Sequence, residues 1–258
     1  MRETMENKTM QKQHHIQLLP GDVGETVFLP GDVSRAKVIA DHFDTAELVA
    51  SSRQYNTYTG TYKGVKVSVT STGIGGAAAA IAIEELAKIG AKNFIRIGTG
   101  GMFQTWLPIP GILVITGAVS GDGLTREYFP RGFPAVADLD TVEAMLASAK
   151  ELGIEVHEGY EWSHDSFYAG SVFSNLDILE IEKPWIDAGV LIASQEASTV
   201  LTLATARKCR GGVILASAGC HQHPEISATE EQMVKAISDA TRISLETALK
   251  LHKLDHGE

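Results

Sequence analysis

Arg96 sits in the apolar run Phe94-Ile95-Arg96-Ile97, where a guanidinium is costly unless it meets an anion or a carboxylate. Two readings follow: a structural ion pair, or a ligand for an oxyanion. The neighbouring stretches Thr72-Gly73-Ile74-Gly75-Gly76 and Gly98-Thr99-Gly100-Gly101 favour the oxyanion, because small flexible residues let backbone amides approach a bound group. Arg35 adds to this. It follows Pro30-Gly31-Asp32 and falls in the first turn of a helix, the wrong end of the macrodipole for a cation, so it either reaches for an anion at that terminus or is simply solvated.

Other chemistries fit less well. Gly73-Ile74-Gly75-Gly76-Ala77-Ala78 satisfies G-x-G-x-x-A, but a dinucleotide site also needs an acidic residue closing the next strand. That strand ends Arg96-Ile97-Gly98-Thr99, which excludes nicotinamide binding. Neither a Walker loop nor a G-x-S-x-G elbow occurs. His157, His164, His221 and His223 match no zinc spacing, so no metal centre is predicted.

The elements that must position these residues begin with 65–101. Val65, Val67 and Val69 alternate with polar residues, the period of a half-buried strand. Residues 77–88 are dense in helix formers, with Glu84 and Lys88 spaced as a favourable pair, and Gly90 stops the helix. The apolar strand containing Arg96 follows and is expected to run into a second flexible turn at 98–101. Such a strand–helix–strand unit makes the strands parallel with a right-handed crossover. Both glycine stretches then share the carboxyl edge of the sheet, where open α/β sheets bind ligands.

Elsewhere the patterns predict strands at 27–29, 47–51, 54–63, 112–119, 154–163, 189–193 and 212–218, and helices at 34–43, 138–152, 171–181, 197–208 and 229–253. Residues 121–134 read as a long aromatic and charged loop over a site. The fold class is α/β, a single domain with a mixed, largely parallel sheet flanked by helices. Residues 1–14 are expected to be a polar tail and 15–258 the domain.

The chain has 258 residues, 44% hydrophobic and 21% charged, an ordinary globular composition. Its formal charge of −10 argues against nucleic acid polymers and anionic membranes as partners, though not against a small anion held by local arginines. Two cysteines, Cys209 and Cys220, without framework spacing predict reduced thiols and a cytoplasmic protein. No run reaches transmembrane length.

Several linked motifs agree in order and spacing with a known family: Leu29-Pro30-Gly31-Asp32-Val33-Ser34-Arg35, Ser71-Thr72-Gly73-Ile74-Gly75-Gly76, Glu84-Glu85-Leu86, Arg96 to Gly101, and Phe133-Pro134-Ala135-Val136-Ala137-Asp138. The chain resembles the hexameric nucleoside phosphorylases, nearest to the uridine phosphorylase branch, from about His15 to the last helix. The resemblance implies a nucleoside phosphorylase-like fold and a hexamer built from dimers sharing active sites. It implies a phosphate site of Gly31, Arg35, Arg96 and Thr99, with Arg53 lent by the neighbouring subunit. His15, also from a neighbour, would meet the sugar, with Glu196 and Gln195 at the ribose. Gly101, Phe167, Ser171, Phe173, Cys220 and His221 would line the base. Arg96, Glu196 and His221 would be the catalytic residues.

The match departs at the base. The glutamine and arginine that read uracil in the family are replaced by Ser171 and Phe173, neither able to make the same bidentate bonds. The family's Glu-Met-Glu becomes Ser194-Gln195-Glu196. His221 is either a proton donor to the base or a plain loop residue. The expected reaction is phosphorolysis of a nucleoside to free base and pentose 1-phosphate, with inorganic phosphate as co-substrate and no cofactor. A hydrolase of the same fold and a catalytically silent nucleoside- or anion-binding protein are the rivals, and retention of Arg35, Arg53 and Arg96 argues against the hydrolase.

Overall fold

The computed structural model describes residues 11–169, 177–220, 222–223 and 225–257. Its centre is the predicted parallel unit. Strand β4 (Val65–Thr70) leads into helix α2 (Gly76–Lys88) and then β5 (Asn93–Met102). Between β4 and β5 lies β1 (Thr26–Leu29), parallel to both, with Leu29 opposite Arg96. The carboxyl ends of all three strands therefore meet at one edge. Helix α1 (Val33–Ala40) leaves that edge from Asp32, whose carboxylate accepts from the Ser34 amide at 2.6 Å as an N-cap.

Beyond β4 the antiparallel ribbon β2 (Thr45–Ser52) and β3 (Tyr55–Tyr62) extends the sheet. On the other side of β5 come β6 (Ile112–Ser120), β8 (His157–Ser163), β9 (Ile192–Ser194) and β10 (Arg210–Cys220). The sheet order is β10-β6-β8-β9-β5-β1-β4-β3-β2, and the short β7 (Ala135–Val136) pairs with β6. Because β10 also pairs with β5, the strands β5, β9, β8, β6 and β10 close on themselves. A closed ring removes sheet edges on that side, and beside the main core a smaller cluster gathers Phe103, Trp162, Val190 and Ala193.

The core contains Val27, Phe28, Ile95, Ile97, Val213, Ile214 and Leu215 from the strands, all fully buried. Helix α6 (Ala197–Ala206) is apolar or small on nearly every face and is buried from Ala197 to Ala204. The long α7 (Glu230–His256) buries a stripe through Ala236, Ala240, Ile243 and Leu251 and starts with a capping box of Thr229 and Gln232. Helix α4 (Leu139–Leu152) packs against it. The architecture is the expected single α/β domain with a mixed sheet flanked by helices.

Three local expectations change. The stretch Gly98-Thr99-Gly100-Gly101 is no turn: it continues β5, paired on one side to β10 and at Gly101 to Ala193 of β9. Its glycines serve close strand approach, since a methyl group on Gly100 would lie 2.3 Å from the Ala193 carbonyl oxygen. The loop 121–134 contains the helical turn α3 (Thr125–Tyr128) and a stacked Phe129–Phe133 pair with centroids 4.0 Å apart. Asp177 caps helix α5 (Ile178–Asp187), so the described part of the expected 171–181 helix begins late, and 171–176 lie outside the described residues.

Candidate active site

Only one of the two glycine stretches is a turn at the carboxyl edge, and its geometry is specific. Gly73 has φ +75° and Gly75 φ +94°, conformations that side chains strain to adopt. The turn is tied to the end of β1 by the Thr72 amide on the Pro30 carbonyl and the Gly73 amide on the Gly31 carbonyl, both 2.9 Å. A methyl group on Gly31 would press to 3.2 Å from the Gly73 carbonyl and touch Arg96 Nη1 at 4.0 Å. Gly31, Gly73 and the Arg96 guanidinium thus share one small space.

Arg96 is 4% exposed, and both readings of it meet in this structure. Its Nη2 pairs with Glu196 Oε2, an ion pair removed from water. Its Nε is buried and has no hydrogen-bond partner among the described residues. The Gly75 amide donates to Glu196 Oε1 at 2.7 Å, so the glycine turn and the arginine hold the same carboxylate from two sides. Glu196 stands at the N-cap of α6 without capping it, which leaves its side chain for the site.

Arg35, half-buried in the first turn of α1, makes no ion pair among the described residues. Burial depresses its pKa, and the charge of Arg96 depresses it further, while Asp32 and Glu196 pull the other way. Two guanidinium groups therefore share this edge, where Glu196 pairs with Arg96 and Asp32 and Glu196 act on Arg35 from a greater distance. Thr99 lies along β5, half-buried, three residues beyond Arg96 and opposite Ala216.

Arg53 and His15 stand apart from this group. Arg53 occupies the β2–β3 turn at φ +56° and is exposed, and the adjacent Gln54 packs so closely on the Gly73 turn that a methyl group there would meet its Cγ at 2.8 Å. His15 is held at α2. Glu85 accepts from the His15 amide at 3.0 Å and the Ile16 amide at 2.9 Å, and His15 Nδ1 lies 2.7 Å from its Oε1. A carboxylate only accepts, so Nδ1 carries the hydrogen. Burial raises the pKa of Glu85, but those bonds outweigh it and hold the carboxyl below the ordinary range.

Around the base side, Gly101 pairs with β9 and Cys220 closes β10 with its side chain buried. Gln195 donates through Nε2 to the Asp165 carbonyl at 3.2 Å. Phe167 is 72% exposed and meets Tyr168 edge-on at 5.1 Å. His221, Ser171 and Phe173 lie outside the described residues. Sequence reasoning overlooked Glu161, fully buried near Arg96, whose residue type in a polar-looking strand gave no signal. Among the described residues one group could hold a metal, Glu25, His252 and His256. It lies at the opposite, amino edge of β1, partly exposed, with Lys92 already on Glu25 at 2.5 Å.

Comparison with known proteins agrees with this fold. Residues 25–250 match the family model of the Phosphorylase superfamily. A uridine phosphorylase of Thermococcus kodakarensis is 39% identical over 91% of this chain and 87% of its own. A guanosine phosphorylase of Halorubrum lacusprofundi is 38% identical over 80% of this chain and 82% of its own. Among solved structures, a purine nucleoside phosphorylase from Toxoplasma gondii in complex with immucillin-H superposes with a TM-score of 0.87 at 31% identity, covering 94% of this chain and 98% of that one. The chain belongs to the phosphorylase superfamily. Its activity is that of a nucleoside phosphorylase, an enzyme of the pentosyltransferase class.

Proposed function

We propose that inorganic phosphate binds between the Pro30-Gly31 turn, Arg35 and Arg96, with Thr99 as a further donor, beneath a nucleoside whose sugar hydroxyls Glu196 accepts. The observation that supports it most is the buried Arg96–Glu196 pair, beside which, among the described residues, the Arg96 Nε has no partner and Arg35 makes no ion pair. Breaking the N-glycosidic bond builds positive charge on the sugar. A phosphate dianion next to the anomeric carbon stabilises that charge and forms the new C–O bond, while the base leaves with the C–N electron pair and takes up a proton. His221 is the proposed donor of that proton. Glu196 and Gln195 orient the ribose; Gly101, Phe167, Ser171, Phe173 and Cys220 line the base.

The reaction on this reading needs no cofactor beyond phosphate as co-substrate. Arg53, exposed on its hairpin, and His15, fixed on Glu85, serve the site of a neighbouring copy, in a hexamer built from dimers that share active sites. Residues 15–258 act as the catalytic domain behind a polar tail at 1–14. No described helix is long and apolar enough to cross a membrane, and a cytoplasmic location is proposed. Neither nucleic acid polymers nor membranes are expected partners, given the charge of −10. Base release from uridine, guanosine and their deoxy forms, followed with and without phosphate, tests the reading. Release that requires phosphate is expected; release without it would assign a hydrolase, and binding without release a silent protein.

A further inference from the structure

Glu161, on β8, is fully buried, and among the described residues no cation lies within ion-pair distance of it. Its bonds go to hydroxyls. Ser194 Oγ donates to Oε1 at 2.6 Å, and Ser163 Oγ lies 2.8 Å from Oε2 and 3.0 Å from Oε1. Ser163 Oγ in turn accepts from the Ser198 amide at 2.9 Å. Ser194 stands two residues before Glu196 and Ser198 two residues after it. The single carboxyl of Glu161 therefore grips both flanks of the residue that pairs with Arg96. A second buried carboxylate, Asp122, completes the arrangement by accepting from Ser198 Oγ at 2.7 Å and from Thr125. Burying a carboxyl this way is more costly than an apolar strand residue would be, which points to a gain in geometry.

Resting on the nucleoside phosphorylase reading, we propose that Glu161 is a positioning residue: through Ser194 and the Ser163–Ser198 link it fixes Glu196 where that side chain can accept the sugar hydroxyls. Its ionised form is the holding form, because it accepts from both serines at once. A protonated Glu161 must turn one oxygen into a donor, and one serine then has to rotate. Burial pushes this carboxyl up to about 7, against the bonds from Ser194 and Ser163 and the field of Arg96. The field of Arg96 on β5 reaches it, Asp122 before α3 lies on the far side of Ser198, and Glu196 sits between Ser194 and Ser198, so the grip responds to pH near neutrality.

Glu161→Gln removes the charge, and Ser194→Ala removes one arm while leaving Glu161 in place. Both are expected to raise the nucleoside KM about tenfold, the effect of losing one aligned hydrogen bond, with the phosphate KM within about twofold. In the parent enzyme the nucleoside KM should fall between pH 6 and pH 8; in Glu161→Gln that dependence should vanish. A crystal structure of Glu161→Gln should show the Glu196 carboxylate displaced from the Gly75 amide. Unchanged nucleoside KM in both variants, or lost kcat at unchanged KM, would overturn the proposal, the latter being the mark of a merely unfolded fraction. An unmoved Glu196 in the crystal overturns it even where no nucleoside is turned over, which separates its failure from that of the functional reading.

Discussion

Arg96 and Glu196 come from the middle of one strand and the start of a distant helix, and they meet as an ion pair away from water. The pair is asymmetric: each Glu196 oxygen has one partner, Arg96 or the Gly75 amide, and keeps further acceptor capacity, while among the described residues the Arg96 Nε has no partner. The proposed phosphate would meet that remaining donor, and the proposed sugar hydroxyls would meet the remaining acceptor sites.

Arg96→Ala is expected to cut phosphate-dependent turnover by a factor on the order of 10²–10³, the usual loss for a donor that meets transition-state charge. It also leaves Glu196 buried without its partner, at a cost of about 3–5 kcal/mol in stability. Initial rates at saturating nucleoside and a denaturant titration read the two effects separately. Turnover equal to that of the parent enzyme would place the phosphate elsewhere.

Gly75→Ala separates strain at the site from strain alone. Gly75 at φ +94° and Gly64 at φ +83° both sit in backbone regions disfavoured for alanine, and neither has a neighbour within 4 Å of an added methyl group. Each substitution should cost about 1–3 kcal/mol. Only Gly75→Ala should also raise the nucleoside KM, because only the Gly75 amide holds Glu196.

The pH dependence of stability isolates Glu161. Its folded-state pKa of about 7 lies above the ordinary carboxyl value of 4.5, so between those values the native state binds the proton that the unfolded chain releases. Stability on this account is highest below the unfolded pKa and falls as pH rises toward 7, by about 3 kcal/mol at most. Glu161→Gln lacks that slope. Melting curves from pH 5 to pH 8 should therefore converge or cross for parent and variant; parallel curves would show that Glu161 does not titrate in this range.

Glu85 acts in the opposite sense. Its pKa is lowered on balance, so the stability it contributes is present above the unfolded carboxyl value and lost as pH falls through the folded one. Glu85→Gln weakens the hold on His15 and Ile16 at neutral pH. Hydrogen exchange at the His15 and Ile16 amides should accelerate in the variant, while amides in β5 keep their protection.

Arg53→Ala should leave the melting temperature within about 2 °C, since removing an exposed side chain changes stability by only a few tenths of a kcal/mol. If Arg53 completes a neighbour's site, the variant loses turnover nonetheless. Mixing it with Arg96→Ala subunits and letting them reassemble should restore part of the activity, because some mixed sites then hold one intact copy of each arginine. Absence of any recovery, with mixed oligomers demonstrated, would remove Arg53 from a shared site.

The amino-acid sequence by itself determined the parallel unit at 65–101, its shared carboxyl edge, and the placing of Arg35 and Arg96 close to each other there. These rest on local patterns: alternating valines, an alanine-rich helix and a cation where an apolar residue belongs. Tertiary structure decided the rest. The glycines at 98–101 read as a bend, since glycine signals freedom to its neighbours, yet they run straight because β9 and β10 need close backbone approach on either side. The partner of Arg96 was likewise undecided between anion and carboxylate, because Glu196 is a hundred residues away along the chain and only the closed sheet brings it near. Glu161 looked like one more acid in a polar strand. Burial and contact across strands are properties of the folded chain, and no local spacing records them.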